Sequence, residues 1–297
     1  MLPTIRNFVF ITLLGHLSLV SADNAAWIDL AVPDDSIAIA KADIQTVLGT
    51  PLGKSVRSRM RDNYNSLNTR LNDDFGFKLK NLSYAWFAFS AKEGGIILLQ
   101  GDFKKDKVIK KMQRNKDWQT APHPTALQVS RYKTEYGNPQ IAALLKDDLM
   151  AMGNPEVVEN VLAKWQSGPT SEIRRGITQV DQSTSHISAA VLDLKPFQTA
   201  NPMYALINHA WLEGMITDDA VITLSAESLN PTITQGLEQI IEGLLQVIPT
   251  RPDVLTQPLA IAAVQNATMA RDEAVLNIST MITGDVIMAR LPQRRPF

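Results

Sequence analysis

The stretch from Pro231 to Ile248 constrains this chain more than any other. Ile233, Leu237, Ile240, Ile241, Leu244, Leu245 and Ile248 follow the stripe of a helix with one apolar face. In water, a helix of this kind is held by packing its apolar face rather than by propensity alone. Strand-type runs stand on both sides of it in the chain, so the stripe predicts a helix lying on a sheet. The fold class that follows is α+β.

The rest of the chain repeats that alternation. Residues 36–44 read as a buried strand after the turn residues Pro33, Asp34 and Asp35. Pro51 opens a helix with Leu52, Val56, Met60, Leu67 and Leu71 along one face. Strands are predicted at 82–90 and 95–101 around a Lys92-Glu93-Gly94 turn, a helix at 104–115, and strands at 126–134 and 139–152. Asn154 and Pro155 supply N-cap and first-turn residues for a helix reaching Gln166. Past a Ser/Thr/Gln-rich stretch come a strand at 186–194, a helix at 202–212 and strands at 214–227. The helix at 231–248 follows, then strands at 258–265 and 273–281 and a short helix at 284–291.

The order suggests two related halves. Ile37 to Ile44 and Ile187 to Leu194 are both buried-type strands ending in Asp plus an aliphatic residue, and each is followed by a helix-opening proline, Pro51 and Pro202. Asp43 and Asp193 would be equivalent, and their plainest reading is polar capping at a helix entry. The expected organisation is a signal peptide over 1–22, a first half over 23–168, a linker over 169–184 and a second half over 185–297. Each half is read as an antiparallel sheet with helices on one face.

Two strings carry a resemblance. The strand ending Ala42-Asp43 with Pro51-Leu52-Gly53 beyond it, and the run Leu149 to Leu162, are similar to uncharacterised exported bacterial proteins built from repeated ferredoxin-like α+β halves. That resemblance implies two ferredoxin-like halves around antiparallel sheets, and it implies no catalytic residue.

The N-terminus predicts export. Arg6 and the free amine precede an apolar run from Phe8 to Leu14, shorter than the roughly 20 residues of a membrane span. Val20 and Ala22 form the small pair accepted by signal peptidase, which places cleavage before Asp23. The alternative is an uncleaved anchor; His16, Ser18 and Ser21 break up the apolar run and argue against it. The expected location is the periplasm or the cell exterior. There is no cysteine, which excludes disulfides, thiol catalysis and cysteine-bound zinc.

Reactive constellations are hard to assemble from the remaining residues. His123, His186 and His209 share no helical turn, so neither a metal site nor a cofactor is expected. The acid pairs Asp34-Asp35, Asp73-Asp74, Asp147-Asp148 and Asp218-Asp219 border turns, and adjacent acids point in different directions. A nucleophile elbow and a phosphate loop are both missing. The sharpest surface is basic: Lys54, Arg57 and Arg61 on one helix, and Lys104, Lys107, Lys110, Lys111 and Arg114 on another. If the two merge, an anionic polysaccharide, a lipid headgroup or an acidic protein surface fits them; the alternative is a solvated helix face. A formal net charge of −1 gives no pull toward nucleic acid. The chain therefore reads as an exported, non-enzymatic binding or interaction protein. The alternative is a hydrolase whose acids meet between the halves.

Overall fold

The computed structural model describes residues 24–90, 94–134, 137–169, 172–200, 202–250 and 257–291. The signal-peptide reading and the Lys92-Glu93 turn lie outside them. The strands are β1 (Ser36–Asp43), β2 (Leu82–Ser90), β3 (Gly94–Gly101), β4 (Gln119–Ala121), β5 (Gln128–Lys133), β6 (Pro139–Lys146), β7 (Leu149–Gly153), β8 (Ile187–Val191), β9 (Ile207–Ile216), β10 (Ala220–Ser228), β11 (Thr268–Asp272) and β12 (Val275–Ile282). The helices are α1 (24–31), α2 (Ile44–Gly49), α3 (Pro51–Arg59), α4 (Arg61–Phe75), α5 (Lys105–Arg114), α6 (Pro155–Trp165), α7 (Arg175–Gln182), α8 (Lys195–Ala200), α9 (Pro231–Val247), α10 (Pro258–Gln265) and α11 (Gly284–Arg290).

The α+β class holds, but there are not two sheets. Among the described residues one twelve-stranded sheet runs through the whole chain, in the order β11-β12-β10-β9-β8-β1-β2-β3-β7-β6-β5-β4. The join is β1 against β8, antiparallel, with Ala40 opposite Ala189. Outward from it, one side runs β8-β9-β10 and then the β12–β11 hairpin, and the other runs β1-β2-β3 and then the four strands β7-β6-β5-β4. That order differs from the split βαβ unit of a ferredoxin-like half.

Nor do the helices keep to one face. On the front face, α1, α6 and α7 pack over Ile39, Trp86, Ala88, Ile96, Leu98, Ile141 and Ala190 as one core. On the back face, Leu71 and Phe75 of α4 and Val108 and Met112 of α5 pack over Leu99, Ala142, Leu144 and Met150. Strand residues alternate between faces, and these strands are apolar on both, so each face demands cover.

Caps follow the sequence reading. Asp43 accepts from the Thr46 N–H at 2.9 Å at the start of α2, and Asp193 accepts from the Lys195 N–H at 2.9 Å at the start of α8. Asn154 accepts from the Val157 N–H at 3.0 Å.

Several segments depart from expectation. Residues 139–152, expected as one strand, are the antiparallel pair β6 and β7, and the helix opened by Pro51 breaks at Met60 into α3 and α4. The polar stretch read as linker contains α7, whose Ile177 and Val180 are fully buried; three buried positions in eight residues suffice to dock it. Residues 202–212 hold a short 3-10 turn and then β9, where alternation across β10 wins over helical spacing. Residues 258–265 are helix α10, a short apolar run whose period decides nothing and whose Pro258 suits a first turn. Residues 24–31, unassigned in the sequence, form α1, with Ala25 and Ile28 in the front core.

Candidate functional site

The back face between the two helical layers is apolar and open. One row crosses it in register: Ile97, Phe87, Ala40, Ala189, Leu212 and Leu224. The next row reads Leu99, Ala85, Ala42, Ile187, Gly214 and Ile222. None of these twelve side chains is charged or offers a hydrogen bond. Yet Phe87 is 46%, Ile97 44% and Leu224 45% exposed, beside a half-exposed Phe89. The strands beneath pair on both sides, so they offer no free edge.

Residue size gives this face its relief. Ala38, Ala40, Ala42, Ala189 and Gly214 keep the middle low. Phe87 and Ile97 bound it on one side. There the Phe87 ring lies over Gly95, where an added Cβ would stand 2.7 Å from Cζ. From β2 to β10 is four strand spacings, about 19 Å.

The far wall is α9, whose stripe the sheet covers only in part. Thr234 and Leu237 are buried, while Ile240, Leu244 and Val247 are exposed. Glu238 pairs with Arg271 of the edge strand β11 at 3.1 Å. Ile240 lies two residues on, about 200° around the helix, so its stripe is on the flank toward the sheet centre. One end of the trough is crossed by α3, tied to the β9–β10 turn by Leu52 N–H donating to Thr217 O at 2.9 Å.

The front face of the second half contrasts with this. There Thr223 and Ser279 share a hydrogen bond of 2.9 Å, and Ser225 donates to Asn277 at 2.7 Å. Toward the β9–β10 turn the same face carries exposed Met215, Val221 and Met281, so the polar pairs occupy only part of it.

The sequence-predicted basic residues fall in two groups on the back side. Lys54 and Arg57 are on α3, with the Arg57 guanidinium 5.6 Å from the Tyr64 ring centroid, and Arg61 opens α4. Lys107 and Lys111 of α5 lie against Gly76, just past the other end of α4. Lys104 precedes α5, and Lys110 and Arg114 are exposed along it. The fifteen residues of α4 separate the groups by about 21 Å, more than the roughly 8 Å screening length at physiological salt. The trough itself was missed; the signal for it was a set of strands apolar on both faces.

Two polar clusters lie on the front side. Lys41 is buried and donates to Asp181 O at 2.9 Å and Ser183 O at 3.1 Å, with Tyr84 and Trp86 rings beside it. Burial pushes its pKa down, partly opposed by Asp181 and Asp43. A chain of hydrogen bonds joins Trp86, Gln100, Asn24 and Asp181, tying α1 and α7 to the sheet. The second cluster is His209, Glu227 and Arg175. Glu227 is held below its ordinary range chiefly by its hydrogen bond from Arg175. Among the described residues, a carboxyl pushed upward is that of Asp74, by burial and then by Asp73; it belongs to α4, away from the β1–β8 join. No group of three or more metal-ligating side chains occurs among them, and no described helix is long and apolar enough to cross a membrane. No family model, no curated protein and no solved structure matches the chain.

Proposed function

We propose that this is an exported protein that binds, without transforming, an apolar chain-like ligand in the back-face trough. The observation that carries this is the in-register row from Ile97 to Leu224, apolar throughout yet with Ile97, Phe87 and Leu224 left half-exposed. Exposed apolar patches of such extent mark binding sites. A protein partner brings about one hydrogen bond per 100–200 Å² of interface. This floor offers none, so a hydrocarbon chain is the better match. Lys54, Arg57 and Arg61, at the end crossed by α3, favour an anionic headgroup on that chain.

Export is supported by the place of α1: cleavage before Asp23 leaves its buried residues Ala25 and Ile28 intact. The runs β1-β2-β3 and β8-β9-β10 on either side of the join, and an Asp at the end of β1 and just past β8 that accepts from a helix-entry N–H, support an origin by internal duplication.

The test is titration of the purified protein with a sixteen-carbon fatty acid and the matching alcohol, read by displacement of an apolar fluorophore. Saturable binding, tighter for the acid, that is lost in Phe87→Asp is expected. No binding, or equal binding by Phe87→Asp, overturns the proposal. So does a stable dimer that buries this face.

A further inference from the structure

A second site lies on the opposite side of the sheet. We infer that the cleft between the start of α7, the β8–α8 turn and β9 binds a small ligand through an oxyanion, a carboxylate or a phosphate. The cleft has a volume of about 410 Å³, with Arg174, Arg175, Gly176, Lys195, Asn208 and His209 on its walls.

Three features converge there. The first is the N-terminus of α7, an eight-residue helix that no side chain caps. Its first N–H groups have no intrahelical partner and carry the positive end of the dipole. The second is cationic. Arg174 is engaged by Asp29 and by the carbonyls of Asp29, Val32 and Pro33, which fixes the helix start. Arg175 reaches Glu227 while remaining largely exposed, and Lys195 stands exposed on the far lip.

The third feature points to a ligand directly. His209 is only 4% exposed, its ring is stacked 5.3 Å from that of Trp211, and its buried Nε2 has no hydrogen-bond partner. Buried polar groups in folded proteins are almost always paired, so this nitrogen is the anomaly of the cleft. A ligand oxygen entering between Arg175 and Lys195 supplies the missing partner. Burial, then Arg175, lowers the imidazole pKa against the opposing pull of Glu227, so near neutral pH the ring is uncharged and still offers one N–H.

The experiment follows the histidine Cε1–H resonances while inorganic phosphate and, separately, succinate are added. A saturable shift of His209 with His123 and His186 unmoved is expected. In Lys195→Gln, which leaves the Arg175–Glu227 pair in place, affinity should fall about tenfold, as for a lost charged contact. Arg175→Gln should weaken it further. A response to phosphate alone assigns a phosphate ligand, and one to succinate alone assigns a carboxylate. No His209 shift with either probe overturns the inference. So does an unchanged affinity in both variants when their melting temperatures match the parent.

Discussion

Replacing Ile97 and Leu224 by Thr separates the trough from the fold. Burying a whole Leu or Ile side chain is worth about 1.5–3 kcal/mol. Ile97 is 44% and Leu224 45% exposed, so a ligand that completes their burial recovers a little under half, about 1 kcal/mol each. Each substitution should then raise the fatty-acid Kd about fivefold. The two positions are five strands apart, about 24 Å, so they should act independently and the double variant should lose about thirtyfold. Thr retains the β-branched shape that strands favour. The stability cost should stay near 1 kcal/mol per site, a few degrees of melting temperature. Val221 is the control: it is 41% exposed on the front face of β10. Val221→Thr should leave the fatty-acid Kd unchanged. The reasoning fails if Val221→Thr weakens binding as much as Leu224→Thr, or if the double variant binds within about twofold of the parent.

Three further outcomes are expected. Because the His209 pKa is lowered in the fold from its ordinary 6.5, its contribution is complete above pH 6.5 and is lost as pH falls toward the folded value. His209→Phe should flatten that part of the stability curve below pH 6.5 in urea titrations, given that Arg175 and Glu227 face the ring in both proteins. Ile177→Ala should cost about 2–5 kcal/mol in the same assay, as for a buried core residue, whereas an exposed linker would lose almost nothing. Mass spectrometry of the exported protein should find Asp23 as the first residue; retention of Met1 removes the signal-peptide reading.

Much of the fold was legible because its signals are local. Asn154 and Pro155 announce α6, Asp43 caps α2 as its position implied, and the strands at 36–43, 82–90 and 94–101 stand where their patterns put them. What failed depended on partners distant in the chain. The polar composition around α7 hides a helix because only Gly176, Ile177 and Val180 are buried, and the sheet that receives them is built from residues on both sides of it. The strand expected at 258–265 is helix α10, because a run of small apolar residues satisfies strand and helix alike. The single sheet was also out of reach, since joining β1 to β8 is a pairing across about 150 residues that neither strand's own pattern specifies.

The site was illegible for a different reason, and α9 shows it. Its stripe correctly predicted a helix on a sheet, but the sheet covers only part of that stripe. Leu237 is buried, yet Ile240, Leu244 and Val247 stand in the open on the flank away from Arg271. A stripe wider than its contact with the sheet leaves an apolar strip uncovered, and the central strands do the same on their back face. In sequence, a residue awaiting a ligand and one packed in a core look alike, because both are simply apolar. Only the arrangement of the covering helices distinguishes them. Here α4 and α5 stop short on one side, and α9 presents its bare flank on the other. The alanines of β1 and β8 keep the floor between them low enough to receive a chain.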